Sequence, residues 1–302
     1  MNNSHSGPAV PSETAGETAV DRRRHILTMV GPGTFWMVCF VALPLLLVVL
    51  VSFMQRGLYG GIEYQFTLDN YSRIFNPMYI KILWNSLVLS FITTLLCLIL
   101  GYPFAYFVAK APKRWRNILL LLVILPFWTN SLVRTYAWIM LLRTEGFINT
   151  ILLKIGLVSQ PLAMMYNETA ILIGLVYVLF PFMVLPLITS IEKLDPALLE
   201  AAGDLGANPV RAFFGVTLPL TKAGIMAGSI LVFIPALGYF FIPELMGGSK
   251  AMLISNLVKN QFLTARDWPF GSAISIILMA ITLILIYLYF RNAGSKDKLE
   301  VF

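Results

Sequence analysis

The chain has 302 residues, 58% of them hydrophobic and only 12% charged, with a net charge of +7 and a mean hydropathy of +0.79. An ordinary soluble domain carries about 25% charged residues, so this chain lacks the charge to cover its own surface in water. A soluble enzyme, a disordered chain and a disulfide-knit secreted protein are excluded, and the sequence belongs in a bilayer.

Residues 1–32 are polar, hold both histidines (His5 and His25) and carry Arg22-Arg23-Arg24. With no apolar h-region ahead of the arginines, they read as a disordered cytoplasmic tail. Six apolar windows follow, at 33–53, 84–109, 118–142, 169–191, 223–245 and 270–290. Each is near the ~20 residues that cross hydrocarbon as a helix. The runs are continuous and do not alternate, so helices are expected and barrel strands are not. Pro44, Pro103, Pro126, Pro181, Pro186 and Pro235 fall inside the windows and predict kinks. Gly224 and Gly228 open the fifth window as a GxxxG, which lets another helix backbone come close. Residues 147–157 have apolar positions at helical spacing and predict a short helix on the outer surface. Residues 291–302 form a second cytoplasmic tail.

Basic residues set the orientation. Thirteen of the 22 Lys and Arg lie in the tails and in the second-to-third and fourth-to-fifth loops, eight lie in the other loops, and Arg134 lies within the third window. The turn holding Lys110, Lys113, Arg114 and Arg116 is short and strongly positive. Both termini are therefore expected in the cytoplasm. Clusters of this kind between apolar runs anchor a membrane protein and give no sign of nucleic-acid binding. Cys39 and Cys97 sit in apolar stretches as small hydrophobes. There is no G-x-x-x-x-G-K-[ST], no zinc-ligand cluster and no histidine near a membrane serine, so the chain is not expected to be an enzyme or to hold a cofactor.

The loop between the fourth and fifth windows, residues 192–222, is long for an inner loop. Asp195-Pro196 predicts a helix start, with Asp as N-cap and Pro at the first helical position. Leu194, Leu198, Ala201 and Leu205 share a face, and Gly206 ends the helix. Asn208-Pro209 starts a second helix expected to end before Leu218-Pro219. A helical hairpin results, with Ala201, Ala202 and Gly206 expected to point outward.

Glu200-Ala201-Ala202, three residues, Gly206, nine residues and Val216-Thr217-Leu218-Pro219 resemble the EAA loop of bacterial ATP-binding-cassette importer permeases. Four further segments, LPFWTNSLVRTYAW (125–138), FTLDNYSRIFNPMY (66–79), IPELMGG (242–248) and RDWPFGSA (266–273), are similar to the spermidine/putrescine importer permeases, the first of their two permease subunits in particular. The resemblance implies an all-α membrane protein of the type I importer fold in the bacterial inner membrane. Its implied partners are a second homologous permease, two copies of a cytoplasmic ATPase that binds ATP and magnesium, a periplasmic substrate-binding protein and membrane lipid. It also implies that Glu200, Ala201, Ala202 and Gly206 dock in an ATPase groove while Leu218 and Pro219 return the hairpin to the membrane.

For the cargo path, Trp128, Thr129, Asn130 and Tyr136 offer aromatic faces and acceptors after the Pro126 kink, as an ammonium ion needs. Tyr239, Glu244 and Asp267 are candidates toward the outer mouth, and several relatives carry an acid where this chain has Tyr239. Arg134, about 26 Å along the third span, is expected to snorkel or pair near the outer boundary. Permeases for opines and amino-acid-like solutes share part of the pattern, so the cargo stays open between these and polyamines. A secondary transporter is the other alternative, but it would place ionisable residues at the midplane or show inverted repeats, and neither is visible.

Overall fold

The computed structural model describes residues 28–248 and 251–292. The tail expectations therefore lie mostly outside the described residues. The chain divides into a unit ending at Val51 and another beginning at Ser52.

The first unit is a helix, α1 (Thr28–Ser52), in which nothing before Ser52 is buried. Phe35, Trp36, Phe40, Leu46 and Leu50 are all exposed. A helix that is apolar all round suits lipid. It loosens to a π-turn over Val38–Ala42, where the Leu43 N–H reaches back to the Val38 carbonyl. Pro44 follows and brings no N–H of its own to the ladder.

The second unit begins with a β-hairpin, which the apolar windows do not predict. Strands β1 (Met54–Arg56) and β2 (Ile62–Phe66) pair antiparallel, with Arg56 opposite Ile62. Helix α2 (Asp69–Ile74) packs beneath them, and its buried Asn70 donates to the Ser52 and Met54 carbonyls at 3.0 and 2.8 Å.

Three long helices form the core: α3 (Pro77–Lys110), α7 (Glu168–Glu192) and α10 (Lys222–Gly238). Leu89, Cys97 and Ala105 of α3, Leu175, Leu179, Met183 and Leu187 of α7, and Val232 and Ala236 of α10 are buried together. Gly224 and Gly228 explain the close approach of α7 and α10. A Cβ on Gly228 would sit 2.8 Å from Met183 Sδ, and one on Gly224 would strike Ser190 and the Pro186 carbonyl. The GxxxG thus faces α7 within the same chain.

Pro103, Pro181, Pro186 and Pro235 lie inside unbroken helices. Of the sharp bends, one follows Pro126 directly, where a kink is expected, and two windows differ from single helices. The third window is not one helix. Helix α4 (Lys113–Ile124) and the 3-10 turn Leu125–Trp128 stop at Thr129, and α5 (Ser131–Leu142) then leads to α6 (Phe147–Lys154). The segments on the two sides of Thr129 meet at 98°. The fifth window is also broken, because α10 ends at Gly238 and a separate short helix, α11 (Phe241–Met246), follows. Helix α12 (Ile254–Leu263) then precedes the last long helix, α13 (Trp268–Asn292). Among the described residues, four helices are long and apolar enough to cross a membrane, or up to six if each bent pair is one span.

Candidate functional site

Three places gather the functional candidates, beginning with the hairpin between α7 and α10. Asp195 accepts from the Ala197 N–H at 2.9 Å and caps α8 (Pro196–Asp204), as its sequence predicts. The chain reverses at Gly206, whose φ of +79° suits a residue without a Cβ. Asn208 then caps the second helix by accepting from the Arg211 N–H at 2.8 Å.

That second helix, α9 (Pro209–Leu220), does not end before Leu218-Pro219 as expected. It passes through a π-turn at Phe213–Thr217 and carries both residues in its last turn. The break comes at Thr221, where α9 and α10 meet at 65°. Leu218 and Pro219 therefore sit at the joint, helix-side. Glu200, Ala201 and Gly206 are exposed, and Glu200 has no ion-pair partner among the described residues. Ala202 is corrected: at 9% exposure it faces inward. Leu205 is 89% exposed, and Leu198, Val210 and Phe214 of the same hairpin are exposed as well.

The hairpin is tied to the core at the joint. The Tyr102 ring of α3 meets Phe213 edge-on at 5.4 Å. Its hydroxyl lies 2.8 Å from Thr221 Oγ1, which itself donates to the Thr217 carbonyl at 2.8 Å. A hydroxyl has one proton to give, so Tyr102 is the donor in this pair. Nearby, Arg116 of α4 pairs with Glu192 of α7 at 2.8 Å.

The second place is where two helix breaks come together. At the first, Thr129 Oγ1 donates to the Pro126 carbonyl at 2.8 Å, and Asn130 Oδ1 accepts from the Leu132 N–H at 2.8 Å. The polar side chains of both residues thus serve the turn itself. Trp128 is 77% exposed and Tyr136 is also exposed.

At the second break, the Tyr239 carbonyl would accept from residue 243 in a continuing helix, but Pro243 has no N–H to give. The Ser255 hydroxyl takes that carbonyl at 2.7 Å, and Asn256 Nδ2 donates to the Phe240 carbonyl at 2.8 Å. The phenol of Tyr239 lies beside Ser131 and within electrostatic reach of Arg134, while the Arg134 guanidinium stands 5.8 Å from the Phe127 ring. Irregular backbone of this kind is tolerated at membrane depth only where protein or a wet cavity covers it. Arg134 and Tyr239 thus belong to one region, and Ser131, Ser255 and Asn256 are members that sequence reasoning missed. The Pro243 gap in the helix ladder is the signal that could have found Ser255.

The third place lies at the end of the core away from the hairpin. Glu244 of α11 pairs with Lys259 of α12 at 2.5 and 2.6 Å, and Lys259 Nζ stands 5.5 Å from the Phe240 ring. Asp267 behaves differently, being only 1% exposed. Its carboxylate accepts from Arg73 at 2.9 Å and from the Phe270 N–H at 3.2 Å, with Arg56 at 3.9 Å. The Arg73 guanidinium also covers the Phe270 ring at 4.0 Å. Asp267 is therefore engaged in joining β1, α2 and α13, which leaves it no free face for a cargo.

Residues 101–293 match the family described as the binding-protein-dependent transport system inner membrane component. The spermidine/putrescine transport system permease protein PotB of Haemophilus influenzae is 49% identical, over 88% of this chain and 93% of its own. PotB of Escherichia coli is also 49% identical, over 90% of this chain and 98% of its own. The sulfoquinovosyl glycerol transport system permease protein SmoG of Agrobacterium fabrum is 26% identical over 89% of this chain. Among solved structures, a chain of the bacterial alginate transporter in complex with an alginate pentasaccharide-bound periplasmic protein superposes with a TM-score of 0.77 at 17% identity. That match covers 94% of this chain and 99% of the other, and at such identity it speaks for the fold alone.

Proposed function

The chain belongs to the family of binding-protein-dependent transport system inner membrane components, and from that premise we propose that it is a permease subunit carrying putrescine or spermidine inward. It is a multi-pass inner-membrane protein with the type I ABC importer fold. The observation that carries the cargo assignment is the 49% identity to PotB along 90% of this chain.

In this reading each bent pair counts as one span, giving six, and both termini lie in the cytoplasm. The arginine- and lysine-rich turn before α4 and the hairpin then face inward together. The hairpin docks on a separate ATPase, one of two copies, which binds ATP and magnesium. Glu200, Ala201 and Gly206 form the contact, joined by the exposed Leu205, while Ala202 anchors the hairpin to its own chain. A second permease completes the pore, and a periplasmic binding protein delivers the cargo. Closure of the ATPase pair pushes the hairpin, and the joint at Thr221 passes that motion to α10 and, through Tyr102, to α3. The helix breaks at Thr129 and Tyr239 lie along the path, where Trp128 and Tyr136 offer faces to ammonium groups.

The test is reconstitution with the partner permease, ATPase and binding protein in liposomes. ATP-dependent putrescine uptake is expected, and Gly206→Trp should leave ATP hydrolysis running while uptake falls at least tenfold. Uptake driven by an ion gradient without ATPase would overturn the transport class, and uptake of another solute alone would overturn the cargo.

A further inference from the structure

An ammonium ion already sits at the end of the core away from the hairpin, and it is the chain's own. Lys259 Nζ donates to both oxygens of Glu244 at 2.5 and 2.6 Å and stands 5.5 Å from the Phe240 ring. A carboxylate and an aromatic face around one –NH3+ are the two groups that recognise a primary ammonium in water-poor surroundings. The frame around it is built. Asn256, one helical turn before Lys259 on α12, holds the Phe240 carbonyl with its Nδ2. Asn256 is 8% exposed, and its Oδ1 has no hydrogen-bond partner among the described residues. An unmet buried acceptor on the same helix, three residues before Lys259, is what a second N–H donor would satisfy.

The ion pair itself is only partly buried, with Lys259 at 28% and Glu244 at 44% exposure. Lys259 is therefore held by an exchangeable contact, on a flexible four-carbon stem. From these observations we infer that Glu244, Phe240 and Asn256 form a binding subsite for one terminal ammonium of the diamine cargo, which Lys259 occupies until the cargo displaces it. The inference rests on the polyamine reading above and deepens it. Lys259 acts as a tethered competitor: it keeps the subsite neutral and filled between transport cycles, and it makes the subsite selective for ligands that present an ammonium of their own. A tethered group that fills a site nine-tenths of the time weakens apparent binding about tenfold.

The test is equilibrium binding of labelled putrescine to the assembled importer in nanodiscs, without the binding protein. Lys259→Met, which keeps the stem and removes the charge, should bind about tenfold tighter than the unaltered chain. Lys259→Arg should stay close to the unaltered chain. Adding Glu244→Gln to Lys259→Met should abolish the gain. Phe240→Leu leaves the ion pair in place and should weaken binding about three- to tenfold, which keeps the inference testable should Lys259→Met fail to assemble. Equal binding by the unaltered chain and Lys259→Met, or unchanged binding by Phe240→Leu, would overturn the subsite. ATP-driven putrescine uptake by the unaltered importer is measured alongside. Its absence would sink the cargo assignment, whereas intact uptake with unmoved binding constants sinks the subsite alone.

Discussion

Thr221 accepts a hydrogen bond from the Tyr102 hydroxyl at the joint between hairpin and core, and both residues are buried. Thr221→Val keeps the shape but leaves the phenol hydroxyl with no acceptor, a loss of about 1–3 kcal/mol. Tyr102→Phe removes the hydroxyl as well, so adding Thr221→Val to it should cost much less than Thr221→Val alone. Thermal unfolding of the four proteins in detergent checks this, and additive losses would show that the two residues do not communicate. Asp267 gives a second case at this scale. Replacing it with Asn weakens the bond from Arg73 and should lower the unfolding midpoint, whereas Glu200→Gln on the exposed hairpin should not move it. Sequence reasoning placed Glu244 and Asp267 together as outer acids, because residue type and position along the chain are alike for both. What separates them is the partner each meets: Lys259 from α12 in one case, Arg73 from α2 in the other. Those meetings are tertiary, and a single chain read linearly does not contain them. Even so, Arg73 and Asp267 lie in two of the segments that carried the family resemblance, at 66–79 and 266–273, and the fold brings those segments into contact.

The hairpin caps at Asp195 and Asn208 and the turn at Gly206 were legible because each is a local signal, fixed by a side chain acting within three residues of itself. The facing of Ala202 was not, because which side of an isolated amphipathic turn is covered depends on what lies beneath it. Pro126 foretold the bend at Thr129, but the break at Tyr239 was missed for a related reason. Proline inside an apolar run predicts a kink in general, but Pro103, Pro181, Pro186 and Pro235 stay within continuous helices while the chain breaks at Thr129 and Tyr239. The break persists where a neighbour takes over the stranded carbonyl, as Ser255 does at Tyr239. Ser255→Ala should therefore leave that carbonyl unpaired. We expect a stability loss of about 1–2 kcal/mol and faster backbone hydrogen exchange at 239–244 than in the body of α10. Unchanged exchange there would mean that the break does not depend on Ser255.

At the scale of the whole molecule, the proposed orientation follows from apolar length and charge asymmetry. By the positive-inside rule it puts the hairpin and the basic residues at 110–116 on the cytoplasmic side, and the β1–β2 hairpin, where Tyr59 and Tyr64 are exposed, on the other. That arrangement needs the bent pair over 113–154 to act as a single crossing. Cysteine labelling in intact and permeabilised cells decides this without any transport assay. Cys39 and Cys97 lie within apolar helices, where a charged thiol reagent is excluded, so the background should be low. Tyr59→Cys should react with a membrane-impermeant maleimide applied from the periplasmic side. Leu205→Cys should react only after permeabilisation, and less when the ATPase is bound over it. Labelling of both from one side would leave an even number of crossings between them, so the bent pair over 113–154 would be a re-entrant loop. The coupling role of the hairpin would then fall with its topology, because a surface on the periplasmic side cannot touch a nucleotide-driven subunit in the cytoplasm.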